Sequence, residues 1–325
     1  MYVSFLFVMS QKHIFSFLIL HRHEKEARRR VGSYTDSTCN QQLGTPTILI
    51  NNAGIVNGAR LKNEDNLERT IFNKWCSTSS MSYFQFIIKA ANVNFQIDLN
   101  LMSKEEQAYA LMLYYDYWTQ PRLFNSIEDG IRAIGDDPRV AAEILQVIDC
   151  LADRISSKEL PIELPNAAPL KTHSRYTREQ ILVAFGFSTF EKKSGNREGV
   201  AYSKDHNFEL LFVTLDKTDG GFSPTTLYAD FAINDRLFHW QSQNSARPDA
   251  GKGNNYLRQQ EIGRRILLFV RERVKDEYGR TLGYVFLGDA DFVSATGAKP
   301  MSVNWELQEP MPSYLWKDAA KMAVG

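Results

Sequence analysis

A series of short apolar segments between residues 198 and 307 constrains the fold of this chain more than any other feature. Turn-forming residues separate the segments, and one helical pattern, YTREQILVAFGF, precedes them. Strands that follow one another without intervening helices usually pair with antiparallel neighbours. The pattern therefore predicts an α+β fold, with a mostly antiparallel sheet curled into a β-barrel or sandwich. The seven segments are EGVAYS, FELLFVTL, TLYADFAI, RLFHWQS, RRILLFVRER, GYVFLGDADFVS and MSVNWEL.

The region before these segments has the pattern of a small helical unit. Ser103 and Glu106 have the spacing of a capping box, in which each side chain accepts from the other residue's backbone N–H. A second helix is predicted from Ser126 to about Ile134. A third starts at Asp137-Pro138, because the N–H that proline lacks is unpaired in the first turn of a helix anyway. We expect these helices to form one unit over residues 101–157.

These patterns predict a division of the chain into four parts. Residues 1–100 mix apolar, basic and polar stretches without clear periodicity, and we expect an irregular extension there. The helical coupler of residues 101–157 follows. Residues 158–170 carry three prolines at four-residue intervals, which predicts an extended linker. Residues 171–325 form the β-rich domain and end in a last helix, SYLWKDAAKM.

Charge and cysteine content limit the classes of function. Lys plus Arg and Asp plus Glu are equal at 38 each, so no bulk charge attracts nucleic acid or anionic lipid, and any such binding needs a local patch. The three cysteines are far apart, with no Cys-x-x-Cys pair and no nearby histidines. They predict neither a disulfide framework nor a metal site. A reducing compartment, cytoplasmic or nuclear, fits them best.

The first twenty residues are apolar enough to raise the question of a membrane segment. Gln11, Lys12 and His13 lie at its centre, where polar and charged side chains are most costly in hydrocarbon. The positive charge also follows the apolar stretch, whereas in a secretory signal it precedes that stretch. We therefore expect no stable membrane insertion.

The segment TPTILINNAGIVNG and its continuation, over residues 45–73, resemble a fragment of the short-chain dehydrogenase family. That family's fold needs an earlier glycine-rich turn to hold the cofactor pyrophosphate, yet residues 1–44 contain only Gly32 and Gly44. Its chemistry needs a tyrosine followed by a lysine one helical turn later, and no tyrosine here has a lysine four positions on. An NAD(P)-dependent oxidoreductase is therefore a remote alternative, and no cofactor is expected.

A longer resemblance begins at about residue 101 and continues to the end. The segments HSRYTREQILVAFG, LLFVTLDK, SPTTLYADFAIN, LFHWQSQN, YVFLGDADFVS and GAKPMSVNWELQEPMP occur in order. They resemble the C-terminal domain, of unknown function, of type IV (modification-dependent) restriction enzymes that combine a helicase with a phospholipase-D-like nuclease. The resemblance implies a module that reads DNA, with methylated cytosine as the expected target, through a barrel similar to SET-and-RING-associated domains.

The motifs of the motor and nuclease are missing from this sequence. It contains no GxxxxGK[ST] loop, no Asp-Glu-x-His box and no nuclease HxK pair with its companion residues. We therefore expect no catalytic activity from the chain on its own, and a helicase or nuclease would be a partner. The main alternative is a non-catalytic interaction or scaffold remnant of such an enzyme, which the missing motor and the neutral net charge favour.

A module that extrudes a base needs aromatic faces, groups that bind the base edge, and cations for the flanking phosphates. The stretch ADFAINDRLFHWQSQN and nearby basic residues supply these types. The alternatives are a core role for the tryptophan, strand-edge hydrogen bonds for the amides, a turn for the aspartate, and surface ion pairs or protected strand edges for the arginines. The predicted DNA- and base-binding residues are Tyr228, Asp230, His239, Trp240, Gln241, Ser242, Gln243, Arg175, Tyr176, Arg271 and Arg273.

Asp289 and Asp291 are separated by one residue and are predicted to share a strand face. Paired carboxylates are a common catalytic or metal-binding arrangement. No third carboxylate or histidine is placed nearby in the sequence, so a metal site is not expected there.

Overall fold

The computed structural model describes residues 3–9, 14–20, 71–216 and 230–321. Most of the dehydrogenase-like segment lies outside these ranges, as does Tyr228. Strands β1 (Val3–Met9) and β2 (Ile14–Leu20) pair antiparallel. None of the helices in the described ranges combines the length and apolar character that crossing a bilayer requires.

The chain divides into two compact units, which we call the helical unit and the sheet unit. The helical unit comprises residues 1–156 and 179–193, and the sheet unit comprises residues 157–178 and 194–325. The proline-containing stretch 158–170 thus lies within the sheet unit, where Leu164, Ala168 and Leu170 are buried.

Three helices of the helical unit begin at the capping residues that the sequence predicts. The capping box of Ser103 and Glu106 is present, Ser126 caps the next helix, and Asp137 caps the one that begins with Pro138. The three predicted helices are confirmed. The helices are α1 (residues 71–76), α2 (Met81–Asn92), α3 (Lys104–Trp118), α4 (Ile127–Ile134), α5 (Pro138–Ala152) and α6 (Arg178–Ala184), the last belonging to this unit from Glu179 onward.

Helix α2 lies inside the extension that the sequence predicts to be irregular. Ser80 caps it by accepting from the Tyr83 backbone N–H, and Tyr83, Phe84 and Ile87 are fully buried. The start of the helix is not evident from the polar stretch CSTSSMS, because serine is common in loops as well as at helix N-termini. Here one of them is the helix cap.

A buried carboxyl group on α5 leads to a first prediction. Glu143 is 7% exposed, its Oε2 has no partner among the described residues, and burial raises the pKa of its carboxyl to about 7. A raised pKa stabilises the native state below the ordinary value of 4.5, and that stability is lost as the pH rises through 7. Glu143→Gln should therefore raise the free energy of unfolding at pH 8 by about 1–3 kcal/mol.

The measurement is urea unfolding of the full chain at pH 8 and at pH 4, where the gain should disappear because the glutamate is protonated in both states. Glu105→Gln, on the exposed side of α3, is the matched control and should change stability by only a few tenths of a kcal/mol. A Glu143→Gln protein no more stable than the parent at pH 8 would contradict the prediction.

The sheet unit contains one eight-stranded sheet with the order β4-β5-β8-β9-β10-β7-β6, and β3 also pairs with β9. All neighbours are antiparallel except β5 and β8, which run parallel. Helices α7 (Gly251–Leu257) and α8 (Ser313–Lys321) belong to this unit. The strands are β3 (Arg175–Tyr176), β4 (Val200–Ser203), β5 (Phe208–Thr214), β6 (Phe231–Ala232), β7 (Leu237–Gln241), β8 (Arg265–Arg271), β9 (Tyr284–Thr296) and β10 (Ser302–Leu307).

The α+β class is confirmed, but the sheet is open and not a closed barrel. Its edge strands β4 and β6 are short and do not pair with each other within the described residues. The long strand β9 bends where its register shifts against β8, opposite Leu268, and again against β10. Gly288, beside the first shift, has φ +85, a conformation that favours glycine.

Aromatic side chains fill the centre of the sheet unit. Trp240, Tyr256 and Trp305 lie with ring centroids 5.3, 6.0 and 6.2 Å apart, and each is at most 4% exposed. Phe238 and Trp240 point to the buried side of β7, and Leu237, His239 and Gln241 remain partly exposed. Trp240 is therefore part of the core of the sheet unit.

Candidate functional site

A cavity of about 390 Å³ lies in the sheet unit. It brings together five of the residues predicted from sequence, namely Asp230, Trp240, Gln241, Gln243 and Arg271. We call it the arginine pocket. The sequence did not predict its other lining residues, which are Arg178, Arg197, Glu198, Gly199, Val200, Phe212, Thr214 and Tyr284.

Strand pairing places several of these side chains at the same end of three neighbouring strands, β5, β8 and β9. Strands β5 and β8 run parallel, and their last residues, Thr214 and Arg271, are register partners. Strand β9 starts beside them at Tyr284 because it pairs antiparallel with β8. The pocket thus forms where two parallel strands end, the position at which open α/β sheets commonly bind ligands.

Two arginines are held against aromatic rings in this pocket. The Arg271 guanidinium carbon lies 4.4 Å from the Tyr284 ring centroid, and that of Arg178 lies 4.0 Å from the Phe212 ring centroid. The two rings meet edge to face at 5.3 Å. Burial lowers the pKa of both guanidinium groups, and the charge of Arg178 lowers the pKa of Arg271 further.

Neutral oxygen atoms fix both guanidinium groups. Arg271 donates from Nε to Thr214 Oγ1 at 2.9 Å and from Nη1 to the Leu282 carbonyl at 3.3 Å. Arg178 donates to Asn196 Oδ1 at 2.6 Å and to the Glu198 carbonyl. Within the described residues neither arginine forms an ion pair with a carboxylate. No carboxylate of the described residues therefore contacts either positive charge.

The pocket also contains polar groups that can form hydrogen bonds to the edge of an uncharged ring. Asp230 accepts the Gln241 backbone N–H at 2.8 Å, which holds its carboxylate beside the end of β7. One terminal amide atom of Gln243 lies 3.3 Å from the Tyr256 hydroxyl oxygen, and the other is buried with no partner in the described ranges. A buried amide atom without a partner is costly unless a ligand or water supplies one.

Two members of the predicted cluster on β7 lie outside the pocket. His239 stacks on Phe231 at 4.7 Å, and its Nδ1 is 2.9 Å from Asn304 Oδ1. Ser242 is fully buried and accepts the Met301 backbone N–H at 2.9 Å. Both side chains connect neighbouring parts of the sheet.

The remaining predicted cations and aromatics are also separate from the pocket. Arg175 forms a bidentate pair with Glu272, at 2.9 and 2.6 Å. Tyr176 is fully buried, and its hydroxyl accepts the Lys171 backbone N–H at 2.9 Å. Arg273 is exposed. No structural observation tests DNA binding by these residues, and their role stays a prediction.

A second, more open cavity of about 540 Å³ contains the predicted carboxylate pair, Asp289 and Asp291. Asp289 accepts two hydrogen bonds from Arg265, at 2.8 and 2.7 Å, which compensates its charge. In the part of the chain that the structure describes, no cluster of three or more His, Cys, Asp or Glu side chains is placed to hold a metal ion.

Residues 170–319 match the model of a family described as a domain of unknown function, DUF3427. The similarity spans every strand from β3 to β10 and therefore the whole arginine pocket. No curated protein matches the chain.

Several residues of the arginine pocket could not be predicted because they come from distant parts of the sequence. Phe212 and Thr214 join the pocket because β5 pairs with β8, and Arg178 joins it at the first residue of α6. The sheet is mostly antiparallel, as predicted, but the sequence does not indicate that this one pair of strands runs parallel. A cue was present in Thr214 and Arg271, polar residues that each directly follow an apolar run. That cue does not specify which strands are neighbours.

Proposed function

We propose that the sheet unit is a DNA-recognition module that reads modified, methylated DNA and has no motor or nuclease of its own. The observation that carries this proposal is the arginine pocket, which places cations beside groups suited to a base edge. Its volume of about 390 Å³ lies within the range of about 300–1,000 Å³ typical of ligand pockets.

The chemistry of the pocket matches what an extruded nucleotide requires. Arg178, Arg197 and Arg271 supply positive charge for phosphate, and Asp230 and Gln243 supply groups for the Watson–Crick edge. Unstacking a base costs a few kcal/mol, which a close-fitting pocket must return through such contacts. The preference for methylated DNA rests on the resemblance to modification-dependent restriction enzymes. In such an assembly a helicase or nuclease partner would act on the DNA.

The second candidate is an interaction or scaffold module that no longer binds DNA. The equal numbers of acidic and basic residues favour it, because non-specific DNA affinity depends on net positive charge. So do the core position of Trp240 and the structural contacts of His239 and Ser242.

A gel-shift assay of the full chain distinguishes the two candidates. The probes are otherwise identical duplexes with and without cytosine methylation, at low and at moderate salt. The recognition proposal expects a shift that depends on methylation. No shift on either duplex at low salt would leave the scaffold candidate.

Asp230→Asn tests whether the pocket reads the base. The asparagine oxygen still accepts the Gln241 N–H, but it replaces a carboxylate that can accept from a base amino group. We expect the affinity for the methylated duplex to fall at least about tenfold, equivalent to about 1.4 kcal/mol. Asp235→Asn, an exposed aspartate on the following turn, is the control and should leave this affinity unchanged.

A further inference from the structure

We infer that Arg178 and Arg271 form a preformed subsite for a phosphate group within the arginine pocket. The inference rests on the proposed function only for the identity of the natural ligand, a nucleotide unit of DNA. The subsite itself follows from the contacts and charges of the two arginines.

The two guanidinium groups are held in fixed positions before any ligand arrives. Thr214 and the Leu282 carbonyl anchor Arg271, and Asn196 anchors Arg178. Each also lies over an aromatic ring, and those two rings are in contact. Preorganised donors lose little conformational entropy when they bind, which favours tight recognition of an anion.

Among the described residues of the sheet unit, the lack of a carboxylate partner distinguishes these two arginines from the other partly or fully buried arginines. Four others each form an ion pair with an acidic side chain. These pairs are Arg175 with Glu272, Arg264 with Glu209, Arg265 with Asp289, and Arg280 with Asp276.

Two partly buried like charges repel each other more strongly than they would in water. Arg178 and Arg271 are close enough for the charge of one to lower the pKa of the other. The hydrogen bonds and ring contacts of the two arginines fix their positions but do not neutralise their charges. An anion bound between the two groups removes the repulsion and uses the guanidinium protons that face the pocket.

Phosphate suits this arrangement better than a planar carboxylate. Its oxygens diverge tetrahedrally, so one group can accept from two separate guanidinium groups. The cations lie over the rings of Phe212 and Tyr284, and the same pocket contains Asp230 and Gln243, which can hydrogen-bond to an attached base. The expected ligand is therefore a phosphate ester of a nucleoside.

Thermal unfolding of the full chain with inorganic phosphate tests the subsite, with sodium chloride of equal ionic strength as the reference. Phosphate should raise the Tm beyond the effect of chloride, because a ligand that binds only the native state stabilises it. A 5′-mononucleotide should raise it at lower concentration than inorganic phosphate. No rise beyond chloride would overturn the inference.

Matched arginine variants locate the effect. Arg271→Gln and Arg178→Gln should each raise the Kd for phosphate at least about tenfold, whereas Arg273→Gln, an exposed neighbour, should leave it unchanged. Arg271→Lys, which keeps the charge but not the fork of donors, serves if Arg271→Gln does not fold, and it should weaken binding by a smaller factor. A phosphate effect that persists in both glutamine variants would place the anion elsewhere and refute the subsite.

The outcomes separate this inference from the proposed function. Phosphate binding that needs both arginines, in a protein that shifts no duplex, would keep the subsite and reject DNA recognition. A methylation-dependent shift in a protein whose Tm does not respond to phosphate would support DNA recognition and reject the phosphate subsite.

Discussion

Replacing Asp116 by alanine should lower the free energy of unfolding of the helical unit by about 3–5 kcal/mol at pH 5. Asp116 is fully buried, and its Oδ2 accepts from Trp75 Nε1 at 3.2 Å, Tyr83 Oη at 2.9 Å and Gln180 Nε2 at 2.8 Å. Alanine leaves three buried donors without an acceptor. Hydrogen exchange at the backbone amides of α2 and α3 would measure the loss in this unit alone.

The pH matters because burial raises the pKa of Asp116 to about 6. The positive charge of Lys74 lowers this pKa, and the negative charge of Glu179 raises it. Lys74 and Glu179 also form an ion pair with each other. A raised acid pKa gives stability that is complete below the ordinary value of 3.8 and is lost as the pH rises through 6. The ionised group is therefore already costly at pH 7, and the effect of alanine should be smaller there.

Asp116→Asn is the control that separates hydrogen bonding from charge. Its amide oxygen can still accept from the three donors, so at pH 5 it should cost much less than alanine. Asparagine does not titrate. The free energy of unfolding of the parent, relative to that of the Asp116→Asn variant, should therefore fall by about 2–3 kcal/mol between pH 4 and pH 7. An alanine variant within about 1 kcal/mol of the parent at pH 5 would show that the donors find other acceptors.

Local signals in the sequence predicted most individual elements. The capping box at Ser103 and Glu106 and the proline at the start of α5 determine helix starts through contacts within a few residues. The alternation in LFHWQ likewise predicts which side of β7 is buried. Helix α7 was missed because its sequence, GKGNNYL, has weak helix propensity. Burial of Tyr256, which no local signal indicates, favours this helix.

The candidate site was predictable in part. Asp230, Trp240, Gln241 and Gln243 lie close together in the sequence, so their shared location follows from one strand and its flanks. Phe212 and Arg271 join the pocket from other strands, through pairings that no local pattern specifies. Closeness in sequence is not sufficient, since His239 and Ser242 lie in the same stretch but contact other residues of the sheet and do not line the pocket.

Replacing Glu209 by alanine should destabilise the sheet unit by about 3–5 kcal/mol. Glu209 is 1% exposed, accepts from the Tyr256 hydroxyl at 2.8 Å, and lies 3.5 Å from Arg264, which is 8% exposed. Alanine would leave the arginine charge buried without a counter-ion. Urea unfolding followed by hydrogen exchange at the amides of β5 and β8 would measure the loss.

The double replacement Glu209→Met with Arg264→Met tests why the single change is costly. Burial raises the pKa of Glu209, which means that desolvation offsets much of the attraction within the pair. Removing both charges should therefore recover most of the stability that alanine loses. Tyr256 would still lack its carboxylate acceptor, and its hydroxyl lies 3.3 Å from the amide of Gln243 in the arginine pocket. We still expect the double variant to fold stably. A double variant as unstable as Glu209→Ala would contradict the desolvation argument.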